Sequence, residues 1–278
     1  MTKTTTHIFV VPFNEAVIGK TNGRLAVRTT NPGDIDKIIA VVSRDRLHCI
    51  EVSSESLASI DLKKEWIRLP LLFRLKRAGR LLDCIPALEN MRNSAARFYF
   101  PATTENIIAV RVLSSLMVKT GLIMDRDNTD WEAMEDLLAY DAFGKVAHVS
   151  VEPFFYAYTE HKNLYADYKE LYLEKEGTFF HCDEKGNISL SSDALGKGDF
   201  IGTLDKADTI DFGGFSLSAR EKRRTPQLKF GGCSVCPAWR VCGFRKTGNE
   251  DNHCAMKQFM TALLESAGEV SKNADNNI

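Results

Sequence analysis

Residues 97–124, RFYFPATTENIIAVRVLSSLMVKTGLIM, decide the fold of this chain. Arg97–Phe100 has the composition of a strand that ends at Pro101, and Thr103 or Thr104 can start a helix that Gly121 would end. The apolar face of that helix is predicted to contain Ile107, Ile108, Val112, Leu116 and Met117. Leu122–Met124 then reads as a short buried strand.

A second helical unit follows directly. Asn128, Thr129 or Asp130 can cap a helix that runs through Tyr140, and Lys145–Val151 reads as another strand. The resulting β-α-β-α-β pattern requires parallel strands joined by right-handed crossovers. Functional groups of such sheets collect at the carboxyl ends of the strands, where Asp125 and Glu152 stand. Both carboxylates are therefore candidates for lining a functional pocket.

The N-terminal segment predicts a β-hairpin. His7–Pro12, Ala16–Gly19 and Arg24–Thr29 read as strands, and Asn22-Gly23 is a turn signal between alternating runs. After it we expect a helix from Ile35, a strand at His48–Val52 and a helix after Ser53 or Ser54. The stretch from Trp66 to Met91, both apolar and basic, predicts an amphipathic helix broken near Gly79 and Pro86.

Four of the seven cysteines lie close together near the C-terminus, as Cys233, Cys236, Cys242 and Cys254. Four thiolates can hold one Zn²⁺ or one [4Fe-4S] cluster, and two cysteines separated by two residues can close on a single centre. Glycines before the first pair and after Cys242 favour a backbone that wraps closely round a ligand. His253 is an alternative fourth ligand, because Zn²⁺ also accepts imidazole.

The other three cysteines, Cys49, Cys84 and Cys182, stand alone and are expected to be core side chains. No signal peptide or membrane-length apolar run is recognisable, so the chain is predicted to be cytoplasmic, where a cysteine cluster is metal-bound rather than disulfide-bonded. A formal net charge of -1 gives no sign of a broad nucleic-acid surface, a membrane surface or an acidic tail. The local basic run from Arg220 to Lys229 is expected to be a solvated loop.

The residues from about Arg97 to Met260 resemble a known family. Phe179–Leu190 with its Asp-x-x-Gly-Asn turn, then Ile201–Leu204 and the cysteine run that begins at Cys233, look like the SPASM region of radical SAM peptide maturases. The preceding β-α-β units look like part of the barrel of these enzymes. The resemblance implies an incomplete (β/α) barrel-like sheet with a C-terminal, cysteine-rich module.

Departures from the family pattern limit what the resemblance implies. The C-x3-C-x2-C motif that binds the catalytic cluster is missing, so neither S-adenosylmethionine as a cofactor nor a self-generated radical is expected. Lys246 and the residues Leu190–Ser192 stand where further auxiliary-cluster cysteines would be. Both losses fall on the first auxiliary cluster, and the four cysteines match the ligand set of the second. One metal centre is therefore expected.

The expected organisation has four segments: an N-terminal hairpin and helical segment (1–95), a partial barrel (96–176), the four-cysteine module (177–265) and a frayed tail (266–278). The resemblance implies an accessory, non-catalytic role in ribosomal peptide maturation, through binding of a precursor peptide or a partner maturase. The hairpin edge could add the peptide as a strand. Two alternatives stay open, a single-cluster electron-transfer partner and a zinc ribbon that binds nucleic acid.

Overall fold

The structure, a computed structural model, describes residues 7–125, 127–160, 162–163, 167–229, 236 and 255–275. It is an α/β protein built on one mostly parallel sheet, which confirms the predicted fold class at that level. The strands are β1 (Ile8–Pro12), β2 (Arg24–Thr29), β3 (Leu47–Ser56), β4 (Leu71–Arg77), β5 (Arg97–Pro101), β6 (Thr120–Ile123), β7 (Phe179–Cys182), β8 (Asn187–Ser189) and β9 (Gly202–Thr203).

Helices connect the strands. The α-helices are α1 (Glu15–Ile18), α2 (Ile35–Val41), α3 (Leu88–Asn93), α4 (Thr104–Ser115), α5 (Trp131–Phe143), α6 (Phe154–Glu160), α7 (Ser192–Lys197), α8 (Phe212–Lys229) and α9 (Ala255–Asp275). Short 3₁₀ segments cover Pro32–Asp34, Leu57–Ser59, Lys64–Trp66, Leu81–Ala87, Tyr168–Tyr172 and Leu204–Thr209. Short polar side chains start several helices. Asp130, for example, accepts the N–H of Ala133 at 3.0 Å at the start of α5.

The strand order within the described residues is β6-β5-β4-β3-β2-β1-β7-β8-β9. All pairs from β6 to β7 are parallel, and β8 and β9 complete the sheet in antiparallel pairing. Strands β1 to β6 therefore neighbour each other in chain order, the arrangement that successive right-handed crossovers produce. The strands of the first three predicted segments all join this one sheet.

The main core lies on one face of the sheet. Because side chains alternate along a strand, Val27, Ile50 and Phe73 of adjacent strands are fully buried on this face. Phe73 stacks on Phe98 with ring centroids 5.1 Å apart. The crossover helices cover these side chains. Residues that could contact a ligand therefore lie on the opposite face of the sheet or in the loops.

The predicted N-terminal hairpin is wrong. Strands β1 and β2 are parallel, and residues predicted as a strand from Ala16 form helix α1, capped by the Asn14 side chain. Gly23 has a different role from the expected turn: a Cβ there would lie 2.8 Å from the Phe9 ring, so the glycine permits close packing. Strand β1 consequently lies inside the sheet, between β2 and β7.

Two further helix predictions in the N-terminal part are wrong. The predicted amphipathic helix from Trp66 contains strand β4, in which Leu71, Phe73 and Leu75 are buried and the intervening side chains face the other way. Strand β3 continues through Ser56, so Ser53 and Ser54 do not start a helix. Period-two alternation of apolar and basic residues is what a strand requires.

Helix α4 differs from its prediction in its end and its buried face. It ends at Ser115, with Met117 at φ 64°, and Gly121 belongs to strand β6. Of the predicted apolar face Ile107 is buried, whereas Ile108, Val112, Leu116 and Met117 are exposed. The hydrophobic side chains that α4 buries are Ile107, Ala109, Val110 and Leu113. The helix thus has apolar residues on two opposite sides, one buried and one exposed.

The predicted strand at Lys145–Val151 does not form. Only Glu152 makes a bridge, to Gly121 of β6. The backbone N–H of Val149 donates to the Ser114 carbonyl and that of Val151 donates to the Asp141 carboxylate, so neither pairs with a strand. By contrast, the predicted β7–β8 pair is present and antiparallel. The described part of the basic run at Arg220–Lys229 lies in helix α8, not in a loop. None of the described helices combines the length and apolar character needed to cross a membrane.

Candidate functional site

A band of charged side chains crosses the face of the sheet opposite the main core. Alternation along the strands puts Arg28 of β2, Glu51 of β3 and Arg74 of β4 on this side. We call this surface the polar face and define it by Arg28, Glu51, Arg74, Arg97, Tyr99, Glu152 and His181. Arg28, Glu51, Arg74, Arg97 and Tyr99 lie on the adjacent parallel strands β2 to β5, His181 lies on β7, and Glu152 is bridged to β6, so residues distant in sequence meet on one face.

Glu51 is the centre of the first half of the polar face. Its carboxylate is almost completely buried, with Oε2 at 3.0 Å from Arg28 Nε and Oε1 at 2.8 Å from Arg74 Nε. Arg74 also donates a hydrogen bond to the Tyr172 carbonyl at 2.6 Å. Two guanidiniums thus compensate one buried carboxylate, a requirement for burying a charge without a large desolvation cost.

His181 lies beside this pair and is fully buried. Arg28 Nη1 is 3.2 Å from its Nδ1, and since a guanidinium can only donate, Nδ1 accepts and Nε2 carries the proton. Nε2 is 3.3 Å from Glu174 Oε2, but the alignment does not make a hydrogen bond. Burial, reinforced by Arg28 and opposed by Glu174, lowers the pKa of His181 to about 4. The imidazole is therefore neutral near pH 7.

The second half of the polar face is built round Glu152, one of the two carboxylates predicted from sequence. Its oxygens accept from Arg97 Nη1 at 2.5 Å and from the Tyr156 N–H at 3.1 Å. Burial raises the pKa of Glu152, and Arg97 opposes that change. With both oxygens engaged, Glu152 has the contacts of a structural ion pair beside β6, the edge strand to which it is bridged.

Tyr99 fits beside Glu152 because its neighbour on β6 is a glycine. A Cβ on Gly121 would lie 2.4 Å from the Tyr99 ring and 3.0 Å from Glu152 Cβ. Burial raises the pKa of Tyr99 to about 12, so the phenol stays protonated. Gly121, which the sequence marked as a helix end, in fact allows this close packing.

The chain itself covers much of the polar face. Tyr172 packs its ring edge on Tyr99, 6.0 Å between centroids, and donates its hydroxyl proton to the Leu122 carbonyl at 2.6 Å. Leu173 adopts a left-handed conformation, φ 58°, and its buried side chain joins a small apolar cluster. The other members of that cluster are Ile8, Val10, Ala26, Cys49 and Phe179. The buried carboxylates of the polar face are thus paired with arginines, and side chains of the chain itself cover most of this face. The arginines remain partly exposed at its rim.

Asp125, the other predicted carboxylate, has a different environment. It is exposed, and its Oδ1 accepts from the N–H groups of Asp127 and Asn128 at 2.9 and 3.1 Å. These contacts are those of a side chain that stabilises a turn before helix α5. The structure therefore separates the two candidates into a buried ion pair and an exposed loop residue.

The proposed metal ligands lie mostly outside the described residues, which include Cys236 but not Cys233, Cys242, Cys254 or the alternative His253. Cys236 is partly buried, packs against the main core and forms no disulfide with another cysteine that the structure describes. Four thiolates are a donor set that suits Zn²⁺ or a [4Fe-4S] cluster, and partial burial against the core agrees with a thiolate held in place. Among the residues that the structure describes, no three His, Cys, Asp or Glu side chains are grouped to hold a metal ion, so the four-cysteine centre stays a prediction from the sequence.

The elements on either side of the cysteine segment are anchored on the α/β body. Before it, Phe212 of α8 packs on Phe180 of β7, with centroids 4.4 Å apart. After it, Phe259 of α9 is fully buried and packs on Trp131 and Phe154, at 5.6 and 6.2 Å. Helix α8 is thus held to the scaffold at its first residue, and helix α9, which follows the cysteine segment, packs on the same scaffold.

The isolated cysteines behave as core residues. Cys49, Cys84 and Cys182 are buried and free, as the sequence predicts. Burial raises the pKa of the Cys49 thiol to about 12 and also raises the pKa of Cys84 and Cys182. They remain thiols near pH 7 and are poor nucleophiles or metal ligands.

Sequence reasoning missed most of the polar face. Its signal is a single charge at an alternating position in an apolar strand: Arg28 in RLAVRT, Glu51 in LHCIEV and Arg74 in LLFRLKR. Recognising Leu71–Arg77 as a strand would have placed Arg74 beside its neighbours. No family model matches this chain, and no match was found among the curated proteins or the solved structures.

Proposed function

We propose that this chain is an accessory, non-catalytic component of ribosomal peptide maturation that holds one four-cysteine metal centre and binds a precursor peptide or a partner maturase. Three features support the proposal together. Strands β1 to β6 neighbour each other in chain order, as a barrel-like sheet requires. The antiparallel strands β8 and β9 precede the cysteines, and helices α8 and α9, on either side of the cysteine segment, each have an aromatic side chain packed on the α/β body.

The observation that carries the non-catalytic part is the filled polar face. Glu51 and Glu152, its buried carboxylates, have both oxygens engaged by cations or a backbone N–H, and Tyr172 with Leu173 covers the layer. A general base needs a lone pair within reach of a substrate proton. Carboxylates that are fully engaged in ion pairs and hydrogen bonds stabilise the sheet. In this proposal the sheet is therefore a rigid scaffold for the cysteine module.

The metal centre has a structural role in this proposal. Bound by Cys233, Cys236, Cys242 and Cys254, a [4Fe-4S] cluster or Zn²⁺ would contribute folding free energy to a segment between two anchored helices. A cluster, unlike Zn²⁺, could also pass an electron to a partner. The buried free thiols Cys49, Cys84 and Cys182 agree with a reducing compartment, and we propose a cytoplasmic location.

Peptide or partner recognition is assigned to the C-terminal side of the sheet. The N-terminal hairpin cannot supply a free edge, because β1 is paired on both sides. Strand β9, Gly202–Thr203, ends the sheet and immediately precedes the elements that hold the cysteines. An extended peptide would pair with this edge through main-chain hydrogen bonds.

Fluorescence anisotropy would test the proposal directly. A panel of labelled candidate precursor peptides is titrated with the full chain, and their scrambled versions serve as controls. We expect saturable binding that Cys236→Ala weakens and Cys84→Ala, a cysteine outside the module, leaves unchanged. Reductive cleavage of S-adenosylmethionine by the reduced protein would contradict the non-catalytic assignment. Binding of single-stranded RNA in place of peptide, with a steep loss in salt, would favour the zinc-ribbon alternative.

A further inference from the structure

Helix α4 carries a second apolar stripe that faces away from the sheet. Its inner side buries Ile107, Val110 and Leu113, as a crossover helix must. On its outer side Ile108 and Val112 are exposed, and the exposed Leu116, the residue directly after the helix, continues this row at the same spacing of four residues. A crossover helix of a stable monomer normally shows polar residues there, because a helix that is apolar on all sides is usually buried.

The row is part of a larger patch that includes the end of helix α5. Ser115 Oγ and Tyr140 OH are 2.7 Å apart, which fixes the end of α4 beside α5. The Tyr140 ring packs on His148, 4.7 Å between centroids, and His148 Nδ1 donates to the Val146 carbonyl at 2.7 Å. We define the α4–α5 patch by Ile108, Val112, Leu116, Met117, Phe143 and Val146, which are between 41% and 62% exposed.

The size of the patch indicates what can cover it. Six side chains at this exposure present roughly 500–600 Å² of mainly apolar surface, the upper end of what monomers expose and often functional. Two such patches in contact, together with a polar rim, reach the roughly 1,200–2,000 Å² of a stable interface. The six side chains that define the patch are uncharged, and the guanidinium of the exposed Arg111 beside them stacks on the Tyr140 ring, 4.6 Å from its centroid. A chain of net charge -1 repels its own copy only weakly.

We propose that the α4–α5 patch is the interface of a homodimer with two-fold symmetry. The occupant that matches the patch in size and chemistry is a second copy of the same patch, and two-fold dimers are the commonest assembly. With the outer rows antiparallel, the axis passes at the middle residue. Val112 then meets Val112 of the partner subunit, and Ile108 meets Leu116 of the partner subunit.

Analytical ultracentrifugation of the full chain tests this interface. At roughly 50 µM, a concentration well above the Kd of a stable dimer, we expect a species of twice the chain mass of 31.1 kDa. Val112→Glu and Val112→Lys should each sediment as the monomer, because like charges meet across the axis. An equimolar mixture of the two variants should associate again, since opposite charges then face each other. Leu82→Glu, an exposed leucine outside the patch, is the matched control and should leave the dimer intact.

Several outcomes would overturn the proposal. A monomeric wild type at this concentration excludes the dimer, and a dimeric Val112→Glu variant moves the interface elsewhere. If both single variants are monomeric but their mixture does not associate, Val112 does not lie on the symmetry axis. If the wild type is a monomer and Val112→Glu lowers its melting temperature, the chain's own residues cover the patch. Unchanged circular dichroism of both variants separates loss of association from loss of folding.

Discussion

Replacing Glu51 by glutamine removes the charge at the centre of the polar face with almost no change in shape. The amide keeps one acceptor oxygen, but its NH₂ group faces one of two guanidiniums that can only donate. Arg28 and Arg74 then keep their charges without compensation. We expect Glu51→Gln to be strongly destabilising for this electrostatic reason, not because of lost packing.

The magnitude follows from burial. Breaking a buried ion pair costs about 3–5 kcal/mol, because one charge is left uncompensated. Glu51 is 4% exposed, but Arg28 and Arg74 are 28% and 25% exposed, so water partly screens the orphaned cations. With that discount we expect a loss of about 2–4 kcal/mol in the free energy of unfolding.

Urea unfolding followed by circular dichroism measures this loss as a shift of the midpoint at constant slope. Glu55→Gln is a matched control on the same strand, since Glu55 pairs with Lys76 at 2.6 Å while both side chains are at least 70% exposed. An exposed pair contributes little, so its loss should stay below about 1 kcal/mol. Equal effects of the two substitutions, or an unchanged midpoint for Glu51→Gln, would refute the assignment of Glu51 as a buried charge centre.

Three further predictions concern stability. Because Met117 has a φ of 64°, Met117→Gly should be more stable than Met117→Ala by about 1 kcal/mol in thermal unfolding, and the opposite order would contradict the left-handed conformation. Gly121→Ala should lower the free energy of unfolding by about 1–3 kcal/mol, because the new methyl group forces Tyr99 to move. Gly196→Ala is the control and should not destabilise the protein, because its Cβ would enter open space. Equal effects of the two substitutions would contradict the close packing at Gly121. The pKa of His181 is about 4 in the folded state and 6.5 in the unfolded state. The unfolded state therefore binds a proton more readily, and the free energy of unfolding falls by about 3 kcal/mol as the pH drops through this window. The difference in unfolding free energy between the wild type and His181→Gln should shrink accordingly from pH 7 to pH 4, and a pH-independent difference would contradict a buried neutral imidazole.

The sequence predicts the part of the fold in which local signals and tertiary structure agree. The segment from Arg97 to Ile123 has a strand, a helix and a strand in the predicted order, because a buried apolar strand and a helix start carry their own signals. Strand β5 and the start of α4 agree with the prediction, but α4 ends at Ser115 and not at Gly121. The β7–β8 pair is also found, since the Gly186-Asn187 turn joins two apolar strands. These features suffice to predict an α/β protein.

Errors arise where partners distant in sequence decide the structure. Asn22-Gly23 resembles a hairpin turn, but Gly23 is required by the Phe9 ring, and β1 pairs with β7, about 170 residues away in the chain. The basic residues of β4 suggested an amphipathic helix, because the carboxylate that pairs with Arg74 comes from β3. The prediction places the outer row of α4 in the core, although its side chains are exposed. The spacing of apolar residues cannot show which of two apolar sides of a helix is buried.

Metal analysis of protein purified without oxygen tests the central claim, the single four-cysteine centre, most directly. We predict one centre per chain, either about four irons with matching sulfide and a visible thiolate-to-iron absorption band, or one Zn²⁺ without colour. Cys236→Ala should lose most of this metal, whereas Cys84→Ala, which removes a buried thiol outside the module, should retain it. Protein without bound metal, or a Cys236→Ala variant with unchanged metal content, would contradict the account.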